Sequence, residues 1–121
     1  MCFEKFVKSK KDNIPLIAEK DIICYKIVFK KFLGLYYKSL YRRFVYHHYK
    51  LYKCTFDVYP ALNSNYMKVE AGFHSYKDRD IAIYNLDVYE NRGIIVKFII
   101  PKGSKYYENA REYVSNQIRV A

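Results

Sequence analysis

The stretch "IIVKFIIPKGSKYYE", residues 94–108, decides the fold. Its first seven residues, 94–100, are apolar and mostly β-branched, and only Lys97 interrupts them. Such a run is typical of a strand that is buried on both faces at the centre of a sheet. The residues "PKGS" then predict a tight turn, and "KYYE" at 105–108 predicts a second strand. We therefore expect a strand, a turn and another strand at the heart of the domain.

The turn itself bears on function. With Pro101 at its second position, Lys102 at its third and Gly103 at its fourth, it matches a type I turn. A phosphate-binding P-loop needs GxxxxGK[ST] between a strand and a helix, and the residues here follow a different order. A plain turn is therefore the favoured interpretation. Contact of Lys102, Ser104 and Lys105 with a phosphate is the alternative.

The segment before this strand predicts a strand followed by a helix. The strand covers Met67–Glu70. Ser75 is expected to cap the helix, with Asp78 three residues later as an approximate capping box and Asp80 near the positive end of the helix dipole. The expected apolar face of the helix consists of Ile81, Ala82, Tyr84 and Val88.

The first half of the chain is patterned less clearly. A β-rich run predicts a strand from about Ile22 to Phe29, whereas residues 1–20 are expected to form an irregular or helical extension. Residues 35–53 fit both a helical stripe and a pair of strands, so both interpretations stay open.

These elements predict one α+β domain over residues 1–121, with a mostly antiparallel sheet and one or two helices packed on it. Three widely spaced cysteines without a CxxC motif, Cys2, Cys24 and Cys54, are expected to be reduced thiols in the cytoplasm. The histidines lack partners at metal-ligand spacing, so we expect no metal. No segment is long and apolar enough to predict a membrane span.

The positive charge is concentrated in the first half of the chain. The net charge is +10, and residues 1–53 hold 13 Lys/Arg and 4 Asp/Glu, whereas residues 54–121 hold 9 and 8. Such a field attracts nucleic acid, nucleotides, acidic protein surfaces or anionic lipid, and a solvated lysine-rich surface is the alternative. Arg42 and Arg43 stand among tyrosines, which combines phosphate-binding guanidinium groups with stacking rings.

Three segments carry a resemblance to a known family: "CYKIV" at 24–28, "AGFHSYKDRDIAIY" at 71–84 and "VKFIIPKGSKYY…EYVSNQIRV" within 96–120. They resemble small proteins of bacteriophages and prophages, and the resemblance favours strands in residues 35–53. Among characterised groups, the chain is similar to the anti-Thoeris nucleotide-sequestering sponge family. The resemblance implies a small, oligomeric, non-enzymatic α+β protein of the host bacterial cytoplasm. Such a protein captures cyclic ADP-ribose-type or cyclic oligonucleotide signals and thereby counters host defence.

We therefore expect a protein that binds a small anionic nucleotide, without catalysis and without a cofactor. The alternative is an anti-CRISPR-like protein or nucleic-acid binder that uses the basic first half against nucleic acid or a host defence protein. An ADP-ribosyltransferase-like activity is disfavoured, because no catalytic glutamate pattern is evident. The 15 Tyr and 8 Phe predict a homo-oligomer, since aromatic residues are enriched at interfaces. The candidate ligand-binding residues are Arg42, Arg43, Phe73, His74, Lys102, Ser104, Lys105, Tyr106 and Arg111.

Overall fold

The chain folds mainly as strands, with one α-helix in the part that the structure describes. A computed structural model describes residues 3–6, 14–39, 44–59, 66–88 and 93–121. The strands are β1 (Phe3–Phe6), β2 (Leu16–Ile17), β3 (Ile22–Lys31), β4 (Tyr36–Ser39), β5 (Val45–His47), β6 (Tyr52–Lys53), β7 (Asp57–Tyr59), β8 (Tyr66–Ala71), β9 (Phe73–Tyr76), β10 (Ile94–Ile100), β11 (Lys105–Glu108), β12 (Glu112–Ser115) and β13 (Gln117–Val120). The helix α1 spans Arg79–Val88, and a short 3-10 turn spans Phe32–Gly34.

The strands form two sheets. The larger sheet has ten strands. Eight of them have the order β2-β11-β12-β9-β3-β10-β13-β6, and in addition β4 pairs with β3 and β5 pairs with β4. The smaller sheet has the order β1-β8-β7. Each strand pair that the structure describes is antiparallel. The expected α+β class with a mostly antiparallel sheet and a helix is therefore confirmed.

The pair β3 and β10 forms the centre of the larger sheet. β10 pairs with β3 along its whole length and with β13 on its other edge, as expected for a central strand. Its burial alternates, however: Phe98 and Ile100 are fully buried, whereas Ile94 and Lys97 are exposed. The expectation of complete burial on both faces is wrong, because only one face of β10 meets the main core.

Two hydrophobic clusters lie on opposite faces of the larger sheet. The main cluster gathers the inward side chains of the central strands with rings from neighbouring elements: Cys24, Val28, Tyr46, Phe73, Phe98, Ile100, Ile118 and Val120. The second cluster lies between the two sheets and consists of Phe3, Met67, Val69, Tyr107 and Val114. β12 serves both clusters, because its neighbouring residues Tyr113 and Val114 point to opposite faces: Tyr113 packs against the main cluster and Val114 belongs to the second.

The helix begins later than the sequence predicts. Ser75 is buried within β9, where it pairs with Tyr113 of β12, so its prediction as the helix cap is wrong. Asp78 takes that role, because its Oδ1 atom accepts a hydrogen bond from the Ile81 amide at 2.8 Å. Of the predicted apolar face, Ala82 is buried, whereas Tyr84 is 56% exposed.

The cap gives a direct test of this boundary. Asp78→Ala is expected to lower the free energy of unfolding by about 1 kcal/mol, because the Ile81 amide loses its acceptor. Urea denaturation measures this difference. Asp78→Asn is the matched control, since an asparagine keeps an oxygen acceptor at the cap and should retain most of the stability. Equal loss in both variants would contradict the assignment of Asp78 as the cap.

The turn after β10 is shifted by one residue from the predicted register. The Ser104 amide donates to the Pro101 carbonyl at 3.0 Å, so Pro101 is the first residue of the turn rather than the second. Gly103 then occupies the third position with a φ of 88°. A positive φ at that position defines a type II turn and explains why glycine is found there. The predicted strand 105–108 that follows is confirmed as β11.

Two other segments differ from their sequence-based interpretation, and one that the sequence leaves open forms strands. The expected irregular or helical extension contains the strands β1 and β2, while residues 7–13 lie outside the described residues. Residues 35–53 form β4, β5 and β6, so the strand alternative holds where that segment is described. β12 is a strand that the sequence pattern does not predict, although it lies between β11 and β9 in the sheet.

Candidate functional site

The backbone of the "PKGS" turn has no amide left for a phosphate. The Lys102 amide donates to Asp21 Oδ1 at 2.8 Å, and the Gly103 amide donates to the Ala18 carbonyl at 2.8 Å. The Ser104 amide closes the turn, and the Lys105 amide donates to an asparagine side chain, Asn116 Oδ1, at 2.9 Å. Since a phosphate cradle needs free amides that converge, this segment functions as a turn that joins two strands.

The side chains of the same segment differ in exposure. Ser104 is 0% exposed, so its hydroxyl does not face solvent. Lys102 and Lys105 are exposed at opposite ends of the turn region. Tyr106 is half-buried and makes an edge-on ring contact with Tyr113, with 5.9 Å between ring centroids. The lysines are thus available to an anion only as solvated surface charges.

The other candidates that the structure describes are Phe73, His74 and Arg111, and their contacts do not indicate a binding site for an anion. Phe73 is 6% exposed and belongs to the main core, so its ring offers no face to a ligand. His74 is half-buried, and its carbonyl accepts a hydrogen bond from Lys26 Nζ. Arg111 is exposed beside a shallow depression at the start of α1, where Asp78 and Asp80 also lie. Two carboxylates next to this arginine make the depression unfavourable for an anion.

The "PKGS" turn and β4, the strand that precedes Arg42 and Arg43 in the sequence, lie at opposite ends of β3. The "PKGS" turn touches Asp21 at the start of β3, whereas Arg42 and Arg43 follow β4, which pairs with the far end of β3. A ten-residue strand is about 30 Å long at the usual rise per residue. Arg42 and Arg43 themselves lie outside the described residues.

A different group of residues comes together at the far end of β3. The sequence from 22 to 56 contains no Asp or Glu. Its basic residues are Lys26, Lys30, Lys31, Lys38, Arg42, Arg43, Lys50 and Lys53. The positive charge of the first half is therefore uncompensated within this segment, and the segment is also rich in tyrosine and phenylalanine.

Much of this segment forms an extension of the sheet, which we call the arm and define as residues 29–39 and 44–50. β10 pairs with β3 only as far as Val28, and beyond that point β3 pairs with β4 alone. β4 in turn pairs with β5. The base of the arm is anchored because Tyr46 of β5 is buried against Phe98, at 5.0 Å between ring centroids and an interplanar angle of 76°.

One face of the arm carries a row of three aromatic rings, Phe32, Tyr36 and His47, which we call the outer row. Tyr36 and His47 are directly opposite each other in the β4–β5 register, with ring centroids 5.5 Å apart. The Phe32 ring lies 5.3 Å from that of Tyr36. Because strand side chains alternate, Tyr37 and Tyr46 point to the core while the outer row points away from it.

Lysines flank the outer row on the same face. Lys31 is opposite Tyr36 in the β3–β4 register, and Lys38 is opposite Phe29. Within the described residues, the ion pairs are Lys77–Glu108 and Arg119–Asp21, and none involves the arm. The charges of Lys31 and Lys38 are therefore available to an anion at this face.

The tip of the arm holds large side chains in unusual backbone conformations. Phe32, Leu33 and Tyr49 all have a positive φ, which L-residues adopt only at a conformational cost. The two loops that contain them are joined by a hydrogen bond between His48 Nε2 and the Gly34 carbonyl oxygen, 2.9 Å apart. The Phe32 ring is 69% exposed despite its contact with Tyr36.

Lys26 points to the interior beside Cys24, and burial shifts its pKa. Its Nζ donates to the His74 carbonyl and lies 5.6 Å from the centroid of the Tyr46 ring. Burial lowers the pKa of Lys26 to about 8 and raises the pKa of the Cys24 thiol to about 11. The thiol is therefore protonated at neutral pH and is a poor nucleophile.

The outer row is not evident from the sequence alone. Its signal in the sequence is the absence of carboxylates from 22 to 56, but the pairing of β3 with β4 and of β4 with β5 is needed to bring the rings together. In the part of the chain that the structure describes, no group of His, Cys, Asp and Glu could hold a metal, and no helix is long and apolar enough to cross a membrane. Comparisons with protein-family models, curated proteins and solved structures return no match to this chain.

Proposed function

We propose that this protein binds a phosphate-bearing nucleotide ligand without changing it chemically. The observation that carries the proposal is the arm: a basic segment free of carboxylates that presents aromatic rings to solvent. Lysine and arginine neutralise phosphates, and aromatic faces stack on bases. A surface that offers both within one small structural unit suits a ligand that contains both groups.

The chemistry of the interior supports binding rather than turnover. The Cys24 thiol is held in its protonated form by burial, and the Lys26 amine is hydrogen-bonded inside the main core. Neither residue is a member of the outer row. A sequestering role in the bacterial host cell, directed against a nucleotide immune signal, is consistent with such binding.

Two forms of the proposal differ in the size of the ligand. A cyclic nucleotide signal, as the resemblance to the sponge family implies, requires an enclosing site, which a homo-oligomer would provide between subunits. A longer nucleic acid requires an open face, and the arm offers one. A host defence protein with an acidic surface is a further candidate partner of the same basic segment.

The proposal predicts that Arg42 and Arg43 contribute to affinity. Replacing both with Ala should weaken binding by about 3–6 kcal/mol if each makes a charge-assisted bond to phosphate, with little change in melting temperature. Isothermal titration calorimetry against cyclic ADP-ribose isomers, cyclic di- and trinucleotides and short single-stranded oligonucleotides measures this loss. The panel also distinguishes the two forms of the proposal.

The matched control replaces Arg79 and Arg119 with Ala. This variant has the same change in net charge, but Arg79 begins α1, and the Arg119 side chain pairs with Asp21 next to the start of β3, at the end opposite the arm. It should bind nearly as well as the unchanged protein. Equal weakening in both variants would attribute binding to net charge alone, and the absence of heat with every ligand would refute the proposal.

A further inference from the structure

We infer that the outer row, Phe32, Tyr36 and His47, is a stacking platform for single-stranded nucleic acid. The inference rests on the proposed function and specifies its ligand class. Unpaired bases stack on the three rings, and the adjoining phosphates contact Lys31 and Lys38. The ligand is recognised by its base faces and its charge rather than by its sequence.

The geometry of the rings supports stacking of neighbouring bases. The centroid separations of 5.3 and 5.5 Å place the three rings in a row across the turn, β4 and β5, and successive rings are tilted by 46° and 42°, so each ring offers its own face to a base. Tyr36 and His47 are fixed by opposite positions in the sheet, so their separation is set by strand pairing rather than by flexible side chains. The row is accessible, because Phe32 and His47 are exposed and Tyr36 is half-buried.

The charge of the surrounding surface selects a polyanion. Lys31 and Lys38 lie on the same face as the rings, and the arm contains no Asp or Glu. Lys31 is exposed, with its Nζ 5.9 Å from the centroid of the neighbouring Phe29 ring. A ligand that alternates flat apolar bases with phosphates matches this alternation of rings and ammonium groups.

The open shape of the face favours a single strand over the other nucleotide ligands. A duplex hides its base faces inside the stack, so the outer row could meet only its backbone. A mononucleotide would contact one ring and one or two charges, which leaves most of the platform unused. A single strand is the nucleic acid that can place a base on each ring and a phosphate near each lysine.

The test is fluorescence anisotropy with a labelled single-stranded oligonucleotide of mixed sequence. The same sequence as a duplex and ATP as a mononucleotide are unlabelled competitors. The double variant Tyr36→Leu/His47→Leu removes two ring faces and keeps apolar side chains on the strands. We expect it to bind roughly tenfold or more weakly, since stacking on aromatic rings contributes that much per base. Its dependence on salt should stay unchanged, because the lysines that neutralise phosphates are intact.

Two further variants make the test specific. Phe32→Leu removes the third ring from an exposed turn, outside the sheet, so it tests the platform even if the double variant unfolds. Lys31→Gln/Lys38→Gln should flatten the dependence of affinity on salt by roughly 0.7 for each phosphate that the variant no longer neutralises. Tyr84→Leu, at an exposed tyrosine on α1, is the control that should bind like the unchanged protein.

The outcomes separate the inference from the proposed function. Tight binding that is unchanged in the folded ring variants would overturn the platform and leave nucleotide binding intact. Preference for the duplex would do the same. Binding of cyclic or mononucleotides without binding of the oligonucleotide would overturn the inference and keep the small-ligand form of the proposal. No binding of any of these ligands would overturn both.

Discussion

Replacing Lys26 with Met is expected to stabilise the protein by about 2 kcal/mol at pH 7. The pKa of Lys26 falls from 10.5 to about 8 through burial, and such a shift corresponds to about 3 kcal/mol of destabilisation while the ammonium is charged. The variant lacks the hydrogen bond to the His74 carbonyl, and this loss reduces the expected gain in stability by about 1 kcal/mol. Methionine has a similar shape and carries no charge, so it packs in the same space. Chemical denaturation of both proteins measures the difference.

The pH dependence of this effect has a defined sign. Between pH 8 and 10.5, the unfolded chain binds more protons at position 26 than the folded chain, so this lysine lowers stability less as the pH rises. The advantage of the Met variant should therefore shrink from pH 7 to pH 10. The raised pKa of Cys24 acts in the opposite direction above pH 9, but both proteins contain this thiol, so it largely cancels in the comparison.

The control for this experiment is Lys97→Met on the neighbouring strand β10. Lys97 is opposite Tyr25 in the β3–β10 register and is exposed, so its replacement should change stability by less than about 0.5 kcal/mol. A Lys26→Met variant that is less stable than the unchanged protein at pH 7 would contradict the prediction. It would mean that the contact with the Tyr46 ring outweighs the cost of burying the ammonium.

Phe98→Asp is expected to unfold the domain. Phe98 is 0% exposed on the central strand β10, where it pairs with Cys24 and Val120 and packs against the Tyr46 ring. Removal of a buried phenylalanine costs about 3–5 kcal/mol, and an unpaired buried carboxylate adds several more. The sum is comparable to the whole stability of a small domain, about 5–15 kcal/mol. Far-UV circular dichroism with a thermal scan measures the result.

The matched control places the same charge one residue away. Lys97→Asp changes an exposed side chain on the same strand, so its carboxylate stays hydrated and the protein should fold. A Phe98→Asp protein that melts cooperatively near the temperature of the unchanged chain would show that β10 is not the centre of the core. Unfolding of both variants would indicate a general intolerance of negative charge on this strand.

The parts of the fold that can be predicted are those where local chemistry and tertiary packing agree. The β-branched run of β10 and the β-rich run of β3 allow few interpretations, and both strands are evident from the sequence. Ser75 is predicted in the wrong element because serine suits a helix cap and a buried strand equally well. The pairing of Ser75 with Tyr113 places Ser75 in a strand, and this pairing cannot be read from the residues near Ser75 in the sequence. Asp78 carries an equally good capping signal three residues later.

The candidate site is less predictable, because it depends on which strands are neighbours. Charge alone points correctly to the first half of the chain as the basic part. The "PKGS" turn also carries lysines. It is distinguished from the arm only by its position, because the turn lies at the start of β3 and the arm at its end. Tyrosine supports both helical and strand periodicity, so the outer row cannot be recognised until β4 is paired with β3.

The central pairing of β3 with β10 also governs how the chain is made. Val28 pairs with Ile94, so β10 leaves the ribosome at least 66 residues after the part of β3 that it joins. At about 5–20 residues per second, that interval lasts roughly 3–13 seconds. During this time β3 can form a hairpin with β4, but its other edge has no native partner and is able to pair with another nascent chain. Synthesis is thus a period in which this edge of β3 is open to aggregation, and slower translation would lengthen it.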